Sequence, residues 1–313
     1  MAFGVRTMMA FFRKIFGRVA RPCRAASRGA QRGKITAPAA RSGGIATAYV
    51  LETGQFSDPG CVRRRNEDSI TVLAPQTAHG AGHDVLALVA DGMGGHQAGD
   101  RASQLAVATI GRHFATSEGS PEVVLREAFA AANQIIFAEA QAKPAQQGMG
   151  TTATALAIVA GRAWLAHVGD SRLYRLRGEC LEQLSEDHTM VMAMLRDGLL
   201  TPQQAKDHPN RHILVRAMGT HAQLEVMLAP VSLAVGDTFL LCSDGLHDLV
   251  EDEEIRTCLL TRGPQAACAA LVGLARQRGG YDNVSVIVVH CAVPGSPQPG
   301  APQTRDVKHT DDA

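Results

Sequence analysis

The sequence predicts an α+β fold in which antiparallel sheet carries helices on its outer faces. Three observations predict it. Short runs rich in Val, Ile, Leu and Ala recur along the chain in adjacent groups, with three of them inside residues 153–176 joined by short turns. Helical patterns come in pairs instead of alternating with strands, which argues against a parallel βαβ arrangement. Four of the apolar runs start or stop at an aspartate: Asp91 follows VLALVA, Asp170 follows AWLAHVG, Asp244 follows TFLLCS, and Asp282 precedes NVSVIVV. One such aspartate is ordinarily a turn former. Four together read as one pole of a sheet collecting oxygen ligands for a hard divalent cation such as Mg²⁺ or Mn²⁺.

Taken in order, strands are expected at 68–73, 85–90, 153–160, 163–168, 172–176, 238–242 and 284–291. Helices are expected near 99–115, 121–142, 190–197, 202–207, 252–261 and 264–278. Asp100 and Ser120 are placed as N-caps, and Pro121 suits the first turn of its helix. Met149, Trp164 and Cys242 read as core residues. Neither a linker nor an internal repeat interrupts residues 49–293, which read as one domain. Segment 188–222 breaks the strand series with short helices and polar turns, as an insertion near the working end would.

The 313 residues, 45% of them hydrophobic, are ample for a substantial core. No apolar run approaches the roughly 18 residues that span a bilayer. Seven cysteines form no CxxC pair and are odd in number, which speaks for a reducing, cytoplasmic setting. Residues 1–50 hold ten Lys and Arg and no acid, leaving 21 basic against 30 acidic residues elsewhere, a balance of −9. That acidic body gives no support to nucleic-acid binding. Residues 1–48 read as a basic, largely disordered extension. A membrane-surface anchor, a transit peptide, a partner tether and a solvated tail all remain open for it. The Pro-rich residues 294–313 read as a disordered tail.

Five motifs carry the chemistry. GCVRRRNEDSITV (60–72) sets Arg63, Glu67 and Asp68 at the start of a strand, and a guanidinium there could grip two phosphate oxygens. LALVADGMGGHQAGDRAS (86–103) delivers Asp91 into a glycine-rich turn, where the Gly92 carbonyl could stand beside it as a ligand. Its spacing does not match a Walker loop and no Walker lysine is present. MGTTATALAIV and AWLAHVGDSRLYRLR (149–177) read as a hairpin with Asp170 at its far end. TFLLCSDGLHDLV (238–250) repeats the strand–Asp–Gly logic at Asp244. GGYDNVSVIVV (279–289) places Asp282 and Asn283 before the last strand.

The ordered series RxxNED, DGMGG, GTT, GDSR, SDG and DN resembles the bacterial form of the metal-dependent type 2C (PPM) protein serine/threonine phosphatases, over about residues 50–291. The resemblance implies a four-layer α/β/β/α sandwich of two antiparallel sheets flanked by helices. It also implies a centre of two Mn²⁺ or Mg²⁺ ions, with a third in bacterial members. Residue by residue, it makes Asp91 the carboxylate that bridges the two metals. The Gly92 carbonyl, Asp244 and Asp282 complete the ligands, and Asp170 holds the third metal. Glu67 and Asp68 would hold metal-bound waters, and Arg63 the substrate phosphate. Segment 188–222 corresponds to the family's flap.

The expected reaction is direct attack on phosphorus by a hydroxide shared between the two ions. A CxxxxxR signature is missing, which argues against a cysteine phosphatase. Met93 stands where animal-type relatives carry a histidine that protonates the leaving group, which leaves the general acid open. His96 reads as a turn histidine, and His188, His208 and His212 as surface histidines. LSEDH (184–188) has serine where the related element has threonine. The expected partners are phosphorylated proteins that are substrates of a eukaryote-like kinase, and the chain is expected to be a monomer. The alternatives are a catalytically inactive phosphoprotein sensor or scaffold of the same fold and a phosphatase of small metabolites.

Overall fold

In the computed structural model, residues 49–74, 85–94 and 98–293 are described, and their strands gather into two antiparallel sheets. One sheet runs β1 (Val50–Asp58), β11 (Val284–Ala292), β10 (Thr238–Cys242), β7 (Arg172–Arg177) and β8 (Cys180–Gln183). The other runs β2 (Asp68–Leu73), β3 (Val85–Met93), β5 (Ala153–Val159), β6 (Arg162–Val168) and β9 (Met227–Val231), with the two-residue β4 (Gly150–Thr151) pairing the end of β3. Helices α1 (Ala98–Thr116) and α2 (Pro121–Ala142) cover the second sheet. Helices α6 (Asp252–Thr261) and α7 (Pro264–Gln277) cover the first. The order helix, sheet, sheet, helix is the expected four-layer sandwich.

The strands read as unbroken apolar runs because both faces of each sheet are covered. On β3, Leu86, Leu88 and Ala90 pack under α1 and α2, whereas Val85, Ala87 and Val89 enter the seam between the sheets. On β10, Leu240 and Cys242 face the helices, and Phe239 and Leu241 face the seam. Each of these Leu, Val and Phe side chains contributes about 1.5–3 kcal/mol by leaving water. A strand with one wet face would have alternated instead.

Two cap placements differ from expectation, and one crossing was not foreseen. Helix α1 begins at Ala98, so Asp100 lies in its first turn, where a carboxylate suits the positive end of the helix. Ser120 occupies the N-cap position of α2, with Pro121 next, but its side chain makes no capping hydrogen bond. Within 153–176, β5 and β6 form the expected hairpin, while β7 lies in the other sheet. The crossing is made at Gly169, whose φ of +107° suits glycine and whose missing side chain makes room for Thr152. Asp170 therefore sits on the turn that joins the two sheets.

Segment 188–222 holds the short helices α3 (Met190–Arg196) and α4 (Pro202–Lys206), each opened by a threonine cap. It is bridged at Thr189–Leu214 and, to β4, at Thr151–Met218. Met149 and Cys242 are core residues as expected, and Trp164 packs partly buried against the core. The expectations for 1–48, 294–313 and His96 fall outside the described residues. Among the described residues, no helix is long and apolar enough to cross a membrane.

Candidate metal centre

The strand ends bring the predicted carboxylates to one end of the sandwich. Asp68 on β2 stands opposite Asp91 on β3. Ser243, at the end of β10, reaches across the sheets and donates its Oγ–H to Asp68 Oδ2 at 2.8 Å. Asp244 follows as the first residue of the one-turn helix α5 (Asp244–His247). Because β10 and β11 run antiparallel, Asp282 comes in beside it: Ser243 N donates to Ser285 O at 3.1 Å, and Ser285 N to Ser243 Oγ at 3.0 Å. Asp170 joins from the end of β6, its carbonyl accepting a hydrogen bond from His247 Nε2 at 3.0 Å.

The backbone of Asp91 is fully occupied, which leaves its carboxylate for other work. Its N–H donates to Thr152 Oγ1 at 2.9 Å, and its carbonyl accepts from Thr152 N and Thr151 Oγ1, both at 2.8 Å. Gly92 donates to Glu67 O at 3.2 Å, and a Cβ on Gly92 would overlap the Gly99 carbonyl. A Cβ on Gly99 would in turn lie 2.7 Å from Gly92 O and 2.9 Å from Glu67 Oε2. These two glycines let the first turn of α1 approach the loop without covering the Gly92 carbonyl. Gly99→Ala, which helix propensity alone would favour by about 1 kcal/mol, is therefore expected to destabilise the protein by about 1–3 kcal/mol. Thermal unfolding checks this, and a stabilised variant would contradict it.

The electrostatics are those of a cation site. Burial, then the charges of Asp68, Asp244, Asp170 and Asp282, push the Asp91 carboxyl well above its ordinary range. Burial and Asp244 do the same to Asp170. Burial raises Asp68 to about 7 despite hydrogen bonds from Ser285 and Ser243, with Asp244 and Asp282 adding to the rise. Asp244 is raised by burial first, against the opposing pull of His247, and Glu67 chiefly by burial. Asp68 Oδ1 and Asp244 Oδ1 are buried with no hydrogen-bond partner. Crowded carboxylates with orphaned oxygens are costly unless a cation joins them. An all-oxygen donor set of this kind fits Mg²⁺ or Mn²⁺.

Arg63 lies at the rim, its side chain 53% exposed, with Nη2 donating to Asp282 Oδ2 at 2.7 Å. Asn283 ties the Arg63 loop to the centre: its Nδ2 donates to the Pro59 and Arg65 carbonyls, and its Oδ1 accepts from Glu67 N at 2.8 Å. His188 is buried, contrary to the surface position expected for it. Its ring lies against His167, centroids 4.8 Å apart, and its Nδ1 accepts the Gly169 N–H at 3.1 Å. Burial, then His167 and Arg216, hold it down to about 3, so it stays neutral and steadies the Asp170 turn. His208 Nδ1 closes a local turn by accepting from Asn210 N, and His212 faces Asp248. A cleft of about 80 Å³ under 188–222, lined by His188, Met192, Arg196, Val215 and Arg216 among others, contains none of the five aspartates of the centre.

Sequence reasoning held Ser243 and Asn283 only as members of the SDG and DN motifs, with no role of their own, and gave Gly99 and His247 no part in this end of the molecule. Each acts through a partner far away in the chain, and the sequence carries no local signal for such a pairing.

Comparisons with known proteins agree on one family. The pattern described as "Protein phosphatase 2C" matches residues 64–268. The serine/threonine protein phosphatase PstP of Mycobacterium tuberculosis is 41% identical over 241 residues, covering 76% of this chain and 45% of the relative. The chain thus spans under half the length of that relative. The protein phosphatase PhpP of Streptococcus pneumoniae is 36% identical over 244 residues, covering 76% of this chain and 97% of the relative. A crystal structure of the catalytic domain of PstP in complex with two manganese ions superposes with a TM-score of 0.70 at 37% identity, covering 78% of this chain and all of that one.

Proposed function

The chain belongs to the protein phosphatase 2C family, and on that footing we propose that it is a metal-dependent phosphatase acting on phosphoserine and phosphothreonine in proteins. The observation that carries this is the convergence of Asp68, Asp91, Asp170, Asp244 and Asp282 with two orphaned carboxylate oxygens among them. Asp91, the Gly92 carbonyl, Asp244 and Asp282 would hold two Mn²⁺ or Mg²⁺ ions. Asp170 would hold a third, with Glu67 and Asp68 ordering water around them. The two manganese ions of the PstP catalytic domain support that reading. Bound there, the cations would supply a hydroxide nucleophile at neutral pH and balance the charge of the phosphoryl group.

The chain's own residues do the rest. Arg63 stands at the rim paired with Asp282, and with Asp282 engaged by a cation its fork would be free to grip two phosphoryl oxygens. Ser243 and Asn283 keep Asp68 and the Glu67 loop in place. His188 and His247 hold the Asp170 turn from opposite sides, through Gly169 N and Asp170 O. Met93 carries no transferable proton, so the leaving oxygen takes its proton from water. Residues 49–293 would be the catalytic domain and 188–222 its flap. We place the protein opposite a serine/threonine kinase in the cytoplasm, in keeping with the free thiols of Cys61, Cys242, Cys258, Cys268 and Cys291.

The test compares kcat/KM with Mn²⁺ for a phosphothreonine peptide and a panel of small phosphometabolites. Preference for the peptide is expected, and preference for a metabolite would overturn the substrate class. Arg63→Ala is expected to lower kcat/KM for the peptide about 10- to 100-fold, the loss of one charge-assisted grip on phosphate. An unchanged constant would remove Arg63 from substrate binding.

A further inference from the structure

Just past the proposed centre lies a second group of metal-ligating side chains, of which only Asp244 belongs to that centre. The side chain of His247 is only 5% exposed, and its Nε2 donates to the Asp170 carbonyl. Nδ1 has no hydrogen-bond partner and stands 3.5 Å from Asp248 Oδ1. On the other side of the same carboxylate, His212 of segment 188–222 brings its Nδ1 to 3.5 Å from Asp248 Oδ2. Ligand atoms of His212, Asp244 and Asp248 all lie within 4.8 Å of one another, and Asp244 Oδ1 is itself buried without a partner. The group is rich in acceptors, and a cation would satisfy it.

We propose that His212, Asp248 and Asp244 form a further divalent-metal site, of the zinc class, that clasps segment 188–222 onto the end of the sheets. Imidazole with carboxylate suits Zn²⁺ far better than Mg²⁺. Two ligand atoms bound to one zinc ion stand roughly 3.3 Å apart at ordinary bond lengths. The His212–Asp248 separation of 3.5 Å already approaches this. His212 is exposed on a segment of short helices, so a small movement of its ring brings Asp244 into range as well. The site shares Asp244 with the proposed catalytic centre, yet it does not depend on hydrolysis and is counted without turnover.

The experiment uses the full chain with Mn²⁺ in excess. Zinc is titrated by calorimetry and bound metal is counted by mass spectrometry. Hydrogen exchange in 188–222 is followed with and without zinc. Wild type is expected to take up one equivalent of Zn²⁺ that His212→Ala and Asp248→Asn both lose and His208→Ala keeps. Zinc should slow exchange in 188–222 about tenfold in wild type and leave His212→Ala unaffected. Equal zinc counts in wild type and His212→Ala would overturn the site and leave a metal-free His–Asp contact in its place. Unprotected exchange in the zinc-loaded wild type would overturn the clasp.

Discussion

Asp91→Asn is expected to lower Mn²⁺-dependent hydrolysis of a phosphothreonine peptide by about 10³-fold or more while raising the melting temperature of the metal-free protein. The two effects have one origin. Burial and the charges of Asp68, Asp244, Asp170 and Asp282 make an ionised Asp91 unwelcome unless a cation accompanies it. Asparagine keeps the shape and removes the charge. The pinned backbone, held by Thr151 and Thr152, gives the new side chain the same position. A 10³-fold loss corresponds to about 4 kcal/mol of transition-state stabilisation, the scale of removing a preorganised charge from a reacting group. Steady-state kinetics and calorimetry with a chelator read the two effects. Parental activity would remove Asp91 from the reaction, and a lower melting temperature would show that its charge is not a burden on the fold.

The metal-free protein is also expected to become more stable as pH falls from 8 to about 6.5. Asp68 has a folded-state pKa of about 7 against an ordinary 3.8. The folded state therefore binds this proton more tightly than the unfolded state does. Its destabilisation is full above pH 7 and relieved as pH falls toward 4. Asp91, Asp170 and Asp244 are raised as well and act in the same direction. Two buried histidines act oppositely. His167 is pushed down to about 4 and His188 to about 3, so below pH 6.5 the unfolded chain takes up protons that the folded one refuses. The gain from pH 8 to 6.5 is on the order of a few kcal/mol, and below pH 6.5 the two histidines offset part of any further gain. With Mn²⁺ at 100 times its Kd, the protein should gain about 2.7 kcal/mol at pH 8 and the pH dependence should flatten. Urea midpoints at the two pH values, with chelator and with Mn²⁺, check this. A metal-free protein more stable at pH 8 than at 6.5 would contradict it.

Much of this architecture was legible in the sequence because the strands that matter are buried on both faces. VLALVA and TFLLC are continuous apolar runs, and their lengths set them apart from helices. The edge strands β1, β8 and β9 were not legible. ETGQFSD of β1 alternates exposed and half-buried residues without an apolar run, since an edge strand has less to bury. The place where the chain changes sheets was hidden too, because the Gly169 turn looks like any hairpin turn until Thr152 is seen against it. The aspartates at strand ends could be picked out from their position alone. Their supports could not: Ser243 acts on Asp68, Asn283 on Glu67, and His247 on Asp170. His188 was misplaced because its burial comes from His167, its neighbour across the fold.

The central claim is that carboxylates far apart in the chain assemble to seat a pair of cations. Crystals grown with Mn²⁺ and measured at the manganese absorption edge test it most directly. Two anomalous peaks roughly 3.5–4 Å apart, bounded by Asp91, Asp244 and Asp282, are the predicted result. A map with no peak among these three residues, in crystals soaked to saturation, would contradict it.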